Sequence, residues 1–445
     1  MDDQVELLIP GTGERVQFWT SYSHDSDFLT PTDGWSLGTA DKSIVPALRA
    51  KLRPGTEVQF VVNGLVQATG IVDRPSLKGA RSGGHTGTFA GRDKLSPVVD
   101  AVCDPKWVFK PTMTMGDVFQ KVFGPFGFAL FSTTDIFNRR ALTGVNPAKA
   151  GQRVVTPAAN VADGTYQDTP SGQAAFVANG NVIHYDAVTE LYDPTAPKSL
   201  QSMTFDQMKP HDGEGCFEFC ARLVKRFGYQ IWLNAAGDTV IVSAPDFDSP
   251  APYRIVQRDG FTDAEDYDGS FDYADQPSVI IAYGTGGGGV NDRATIKCAM
   301  VNELTGATRD GFARDDVQAA INKYPGARVL PIRTELLPYA VEWAGRTTRP
   351  LYLKDEESKN IGQLEAFVRR QMAQRQKRAL TVTYTVRGHT RNDVPWHVNS
   401  LVDIDDDVLD IHEPLWCIGR TFTKGRDGTR TKLTLIRRHT LDLLA

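Results

Sequence analysis

The chain is poor in cysteine: five in 445 residues, namely Cys103, Cys216, Cys220, Cys298 and Cys417. A disulfide framework would be denser and usually even in number, so bridges are not expected to hold this fold. Cys216 and Cys220 stand at i,i+4 and would share a helix face. No CxxC and no histidine pair joins them into a metal set, so they read as small apolar core residues. No apolar run reaches the roughly 20 residues that span a bilayer. The opening MDDQVELLIP starts on acid rather than on a basic stretch, so no secretory signal is expected. Positive charge is not in surplus either. Lys+Arg number 49 against 54 Asp+Glu, a net of −5, which gives no global basic surface for nucleic acid.

Catalytic signatures are also missing. The histidines (His24, His85, His184, His211, His389, His397, His412 and His439) show no H-E-x-x-H spacing, and there is no G-x-S-x-G elbow or Walker loop. Two letter-matches fail on their context. Gly284-Thr285-Gly286-Gly287-Gly288-Gly289 fits G-x-G-x-x-G, but a dinucleotide site needs a helix next, to hold the pyrophosphate, and Val290 to Met300 alternates like a strand. Asp403, Asp405 and Asp407 make a D-x-D-x-D run, but an EF-hand needs glycine at its sixth position and glutamate at its twelfth. Val408 and Pro414 stand there. Neither a cofactor, a metal nor a catalytic residue is expected.

What is present is a chain with packed cores. Hydrophobic residues are 41% and charged residues 23%, excluding wholesale disorder, and the length suits about three domains. Gly 40 and Pro 25 predict many turns. Residues 1–102 read as β. Val58, Phe60 and Val62 alternate up to Asn63-Gly64, a strong hairpin signal, and the chain returns through Leu65 to Val72. In 103–140 Met115, Val118, Phe119, Val122 and Phe123 fall at helical spacing, with Thr114 to cap and Gly124-Pro125 to stop them. Residues 141–210 lose periodicity and read as an irregular, exposed insertion.

Residues 211–250 predict a helix and a hairpin. Cys216, Phe217, Cys220, Leu223, Val224 and Phe227 form one apolar stripe, with Asp212 to cap and Gly228 to end the helix. A hairpin, Tyr229 to Val242, follows. Residues 246–275 hold nine Asp/Glu against Arg254 and Arg258 and read as an acidic linker. Residues 251–300 and 376–445 read as a second β domain, with 301–375 inserted and carrying a helix at 361–377, where Asn360 and Gln363 resemble a capping box. Basic residues cluster on that helix (Arg369, Arg370, Arg375, Lys377, Arg378) and at the end of the chain (Arg420, Lys424, Arg426, Arg430, Lys432, Arg437, Arg438). Opposite-sign patches at 246–275 and 420–438 suit protein–protein complementarity. The expected fold class is α+β and β-rich: two tube-like β-barrel or sandwich domains with α+β domains between them.

Gly91-Arg92-Asp93-Lys94-Leu95, followed by Val98-Val99-Asp100, and Pro125-Phe126-Gly127 after the helix beginning at Thr114, together with the 213–242 helix-plus-hairpin and the closing Cys417 to Leu435 hairpin, carry a further likeness. In order and spacing they resemble the baseplate and tail hub proteins of contractile-tailed phages, the Mu-like tail protein P and late-control protein D group. That resemblance implies a structural virion protein of the tail baseplate, assembled in the host cytoplasm. It implies a homotrimer whose six similar β domains adapt a sixfold tail tube to a threefold central spike. Tube, spike and baseplate wedge proteins would be its partners. DNA would pass only in transit through the channel, and no membrane anchoring is implied. Because the chain ends at Ala445 soon after its last hairpin, a separate spike protein is expected. Two other functions stay open at this point: the hub-like part of a type VI injection spike, and an enzyme. The enzyme would be a cell-wall hydrolase using Asp403, Asp405 and Glu413, or a nucleotide-dependent oxidoreductase.

Overall fold

The structure, a computed structural model, describes residues 3–17, 19–40, 44–80, 84–109, 113, 115–132, 164–168, 174–178, 181–186, 209–225, 229–245, 249–271, 277, 279–285, 295–301, 328–331, 350–355, 361–425 and 428–437. The N-terminal part holds β1 (Val5–Ile9), β2 (Glu14–Val16), β3 (Ser21–Asp27), β4 (Gly34–Thr39), α1 (Ile44–Lys51), β5 (Glu57–Val62), β6 (Leu65–Ala80), β7 (Gly84–Asp93) and α2 (Ser96–Asp100). Then come α3 (Met115–Phe123), β8 (Ala129–Phe131), β9 (Gly164–Asp168), β10 (Ala174–Ala178), β11 (Asn181–Asp186), α4 (Cys216–Lys225), β12 (Gln230–Leu233) and β13 (Thr239–Ser243). The C-terminal part has β14 (Tyr253–Arg258), β15 (Phe261–Thr262), β16 (Ala264–Ser270), β17 (Val279–Thr285), β18 (Thr295–Val301), β19 (Arg328–Pro331), β20 (Pro350–Asp355) and α5 (Ile361–Ala379). It ends with β21 (Thr381–Arg387), β22 (Thr390–Arg391), β23 (Val394–Pro395), β24 (Ser400–Asp406), β25 (Pro414–Gly425) and β26 (Gly428–Arg437). No helix among the described residues is long and apolar enough to cross a membrane.

Strands from both ends of the chain share one 14-stranded sheet, in the order β15-β14-β24-β25-β3-β4-β7-β6-β5-β1-β2, with β26 on β25 and β21 linking β26 to β16. The fold is thus β-rich, as expected. Among the described residues its β regions form an open sheet whose ends, β2 and β15, pair with different neighbours, and no barrel closes. Local chemistry accounts for its best-defined turn. Asn63 (φ 49°) and Gly64 (φ 83°) both take left-handed backbone, which a two-residue hairpin requires, and β5 and β6 close on it as Val62↔Leu65. The chain falls into two compact units: Met1–Leu223, Gln230–Tyr267 and Thr383–Thr434 form one; Val224–Tyr229, Asp268–Val382 and Leu435–Ala445 form the other.

In the first unit, β12, β13 and β8 form a small sheet, with β13 parallel to β8. Over Cys216–Leu223 the α4 stripe is buried as the spacing predicts, at Cys216, Phe217, Cys220 and Leu223. Phe219, outside the stripe, is buried too and stacks on Phe109 at 5.6 Å. In the second unit β19-β18-β17-β20 form a four-stranded sheet, against which α5 packs by β17 and β18.

Three expectations change. The stretch 246–275 is not a linker: β14 runs parallel to β24 inside the large sheet, Tyr253↔Val402 to Gln257↔Asp406. Tyr253 and Ile255 face the core while Arg254 and Arg258 face out; acidic composition hid an ordinary alternating strand. The region 141–210 contains an antiparallel sheet, β9-β10-β11, built from short segments whose Ala, Gly and Asn content masks a period of two. The segment between Trp19 and Thr56 carries β3, β4 and α1, which were not expected there. Thr114, Gly228, Asn360 and Gly286 to Gly289 lie outside the described residues, so the caps and the glycine loop expected there do as well.

Candidate functional site: the seam between the two ends of the chain

The N-terminal and C-terminal strands meet where β3 runs antiparallel to β25, from Ser26↔Arg420 to Tyr22↔Lys424. In β3, Tyr22, His24 and Ser26 point inward and are buried, so two of the three inward positions are polar. Such groups cost free energy unless paired; Ser26 pairs with nearby Asp33, while the partners of Tyr22 and His24 come from the far end of the chain.

Arg420 is the centre of this cluster, 4% exposed. Its Nη1 donates to Gln67 Oε1 at 3.0 Å and to the Trp396 carbonyl at 2.6 Å. Its Nη2 lies 3.4 Å from His24 Nδ1, and its guanidinium sits 4.2 Å from the centre of the Phe422 ring, a cation–π contact in a dry setting. Burial pushes the His24 pKa well down and the Arg420 charge adds to this, so His24 is neutral and its Nδ1 accepts from Arg420. Its ring stacks on Phe60 at 4.8 Å. The expectation that Arg420 belongs to a surface basic patch is therefore overturned: this guanidinium is a core group.

His389 forms the second node. The Thr431 hydroxyl donates to the Gly388 carbonyl, so its oxygen accepts from His389 Nδ1–H at 3.0 Å. That leaves Nε2 to accept from the Tyr22 hydroxyl at 2.6 Å. The backbone N–H of His389 donates to Asp3 Oδ2 at 2.5 Å, and the Thr390 hydroxyl to Asp3 Oδ1. Burial holds the His389 imidazole down at about 4. The first residues of the chain are thus tied to residues 388–431 by side chains.

The motif Gly91-Arg92-Asp93 sits beside this seam, and each member has a physical task. A Cβ on Gly91 would lie 1.9 Å from the Ile71 carbonyl oxygen and 2.7 Å from the Trp35 ring, so only glycine lets Trp35 pack there. Arg92 reaches Asp73 at 2.8 Å and grips Asp100 with both terminal nitrogens at 2.9 and 2.7 Å, joining the motif to the Val98-Val99-Asp100 that follows it. Asp93 accepts from the Leu95 N–H at 3.0 Å, at the start of α2, and from the Asp33 N–H at 3.1 Å. Burial and then the nearby Asp33 charge raise the Asp93 pKa to about 8. Asp33, held by the Ser26 hydroxyl, is pushed up to about 6 by burial, with Arg420 pulling the other way.

The remaining candidates resolve plainly. Asp405 is buried and takes Arg254 at 2.9 Å, Arg258, and His412 Nδ1 at 3.0 Å, which lowers its pKa. Asp405, Asp407 and His412 bring potential ligand atoms within 4.8 Å of one another, but a cation there would have to displace two guanidinium groups. A carboxylate held charged in this way is a poor general acid, so Asp405 would not fill that role in a hydrolase. Asp403 lies 3.5 Å from Arg254. Gly284 and Thr285 end β17, which pairs antiparallel with β18 through Thr285↔Thr295, so the next described residues after Thr285 are a strand. Cys216 and Cys220 are buried together with Cys103, whose thiol burial drives to about 12. Within the opposite-sign patches, Arg430 pairs with Glu265, and Asp263 with Arg391 nearby, so part of that complementarity is spent inside the chain.

An open sheet is shared by the two ends of one chain, which meet along a buried polar seam. The fold is that of phage tail proteins. Residues 4–93 match the family model for the N-terminal domain of the Mu phage baseplate assembly protein GpP-like family, a span that takes in β1 to β7 and the Gly91-Arg92-Asp93 motif. The whole chain is similar to the tail protein from Neisseria meningitidis MC58, at 19% identity and a TM-score of 0.63, over 100% of this chain and 99% of that one. It is also similar to the 43 kDa tail protein of prophage MuSo2 from Shewanella oneidensis, at 16% identity and a TM-score of 0.61, over 98% and 99%. No curated protein matches the chain. The likeness to Mu-like tail proteins inferred from the motifs is borne out.

Proposed function

We propose that this protein is a structural component of a phage tail baseplate: a central hub in which three copies form a ring between the sixfold tail tube and the threefold spike, leaving a channel for DNA. The observation that carries the reading is the β3–β25 pairing. It joins an N-terminal and a C-terminal β region within one subunit, so three subunits present six β regions around one axis. A threefold assembly can then offer a nearly sixfold face to the tube, with closed cyclic symmetry. Tube, spike and wedge proteins are the partners of such a ring, and no step of its work needs a catalytic residue or cofactor. The channel wall is neutral or acidic, because a cationic wall would hold the phosphates of passing DNA. Native mass spectrometry of the purified full chain, alone and mixed with a candidate spike protein, tests the reading. A trimer that captures a spike trimer is the expected result; a monomer in both samples refutes it.

A further inference from the structure

The N-terminal β region carries an exposed groove that is basic with an apolar floor. Beyond Leu77↔Gly87 the β6–β7 ribbon runs on as two strands only, and beside α1 it forms a groove lined by Val45, Pro46, Leu77, Arg49, Lys78 and His85. Leu77 is 39% exposed. Among the described residues no carboxylate pairs with Arg49 or Lys78.

The C-terminal β region carries the converse feature, an acidic knob with apolar tips. At the end of β14, Arg258 pairs with Phe261 on one side, while on the other the Asp407 N–H donates to the Gln257 carbonyl at 2.9 Å. This sets Phe261, 58% exposed, and Val408, 61% exposed, on the two flanks of one strand end. Asp259, Asp407 and Asp410 are exposed around them. Arg254 and Arg258 are engaged by Asp405, and His412 lies by Asp405, Asp407 and Asp410, so the outward charge is negative. The knob is also rigid. Buried Asp406 accepts the N–H groups of Val408 and Leu409 at 2.8 Å each and the Tyr384 hydroxyl at 2.7 Å. A surface already ordered loses little entropy on docking.

We propose that the acidic knob of one copy seats in the basic groove of the next, Phe261 and Val408 against Leu77 and Pro46, with Asp407 and Asp410 facing Arg49 and Lys78. This rests on the ring reading above and supplies its contact. The knob and the groove match in both charge and apolarity, and they lie on different β regions of the same chain, as a head-to-tail interface that closes a ring requires. The occupant is therefore a second copy of this chain. Buried apolar anchors give such a contact its strength, and the charges fix its register.

The test is sedimentation velocity of the full chain over a range of micromolar concentrations. R49E/K78E and D407K/D410K alter exposed side chains, D410K also placing Lys at a left-handed backbone position (φ 53°), and each is expected to weaken the trimer about tenfold or more; the four substitutions together restore the pairing with reversed sign and are expected to recover it. F261A weakens it without touching charge. Trimers unchanged in all three weakened variants overturn this interface and leave the ring reading standing. A wild-type monomer at every concentration overturns the ring reading itself, and this contact with it. Weakened pairs that the fourfold variant fails to rescue place the two patches in separate contacts and also overturn the proposal.

Discussion

Replacing Arg420 by Met tests whether the seam is held by its buried charge. Met fills most of the same volume but cannot donate to Gln67 or to the Trp396 carbonyl, and it leaves His24 Nδ1 without its donor. Acceptors left dry lose about 1–3 kcal/mol each, and this is partly offset because the burial penalty of the guanidinium, which holds its own pKa down, is removed with it. The apolar surface that Met buries offsets part of this. The pH dependence has a definite sign. Arg420 lowers the pKa of Asp33, which stands at about 6, and also lowers those of His24 and His389. Without it Asp33 resists ionisation more strongly, a penalty that grows as pH rises. The two histidines take up protons more readily, so the variant loses less than wild type as pH falls below about 6.5. Both effects make the deficit of R420M larger at pH 8 than at pH 5. Urea unfolding followed by tryptophan fluorescence reports on it, since Trp35 and Trp396 are buried. A deficit under about 1 kcal/mol, or one that shrinks between pH 5 and pH 8, would refute the idea that this guanidinium organises the seam.

Three further outcomes follow from the same geometry. The Asp93 carboxyl is raised from 3.8 to about 8, so its contribution to stability is whole below the unfolded value and is lost as pH rises through the folded one; D93N should flatten the decline in thermal stability between pH 5 and pH 8, and an unchanged slope would contradict this. G91A forces a methyl into the Ile71 carbonyl and the Trp35 ring and should cost about 3 kcal/mol or more, whereas G11A, in open space, should be near neutral in the same melt. Cys103, Cys216, Cys220 and Cys417 are buried with raised pKa values, so iodoacetamide should label them only after denaturation; rapid native labelling, read by peptide mass, would show that these thiols are not core groups.

How far the sequence revealed the fold depended on the range of the interaction. The Asn63-Gly64 hairpin, α3 and α4 were legible because their causes are local: two left-handed turn residues in one case, an apolar stripe in the others. β3 was not legible, because its inward residues are Tyr22, His24 and Ser26, a polar face that makes sense only once Arg420, His389 and Asp33 are beside it. β14 was hidden for a related reason. Its acidic surroundings suggested a solvated linker, yet Asp263 and Glu265 are held by Arg391 and Arg430, and the strand beneath alternates normally. Arg420 misled in the opposite direction, since it sits among basic residues in sequence and among aromatic ones in space.

The Gly91-Arg92-Asp93 motif joins the two levels. Its glycine makes room for Trp35, its arginine grips Asp100 seven residues past the motif, and its aspartate fixes the start of α2 while bonding the backbone of Asp33 next to the seam. A three-residue string can mark a fold when each member solves a packing or pairing problem that the fold itself creates. Here those problems sit where one end of the chain must receive the other, and the seam they support joins the two β regions of the chain into one sheet.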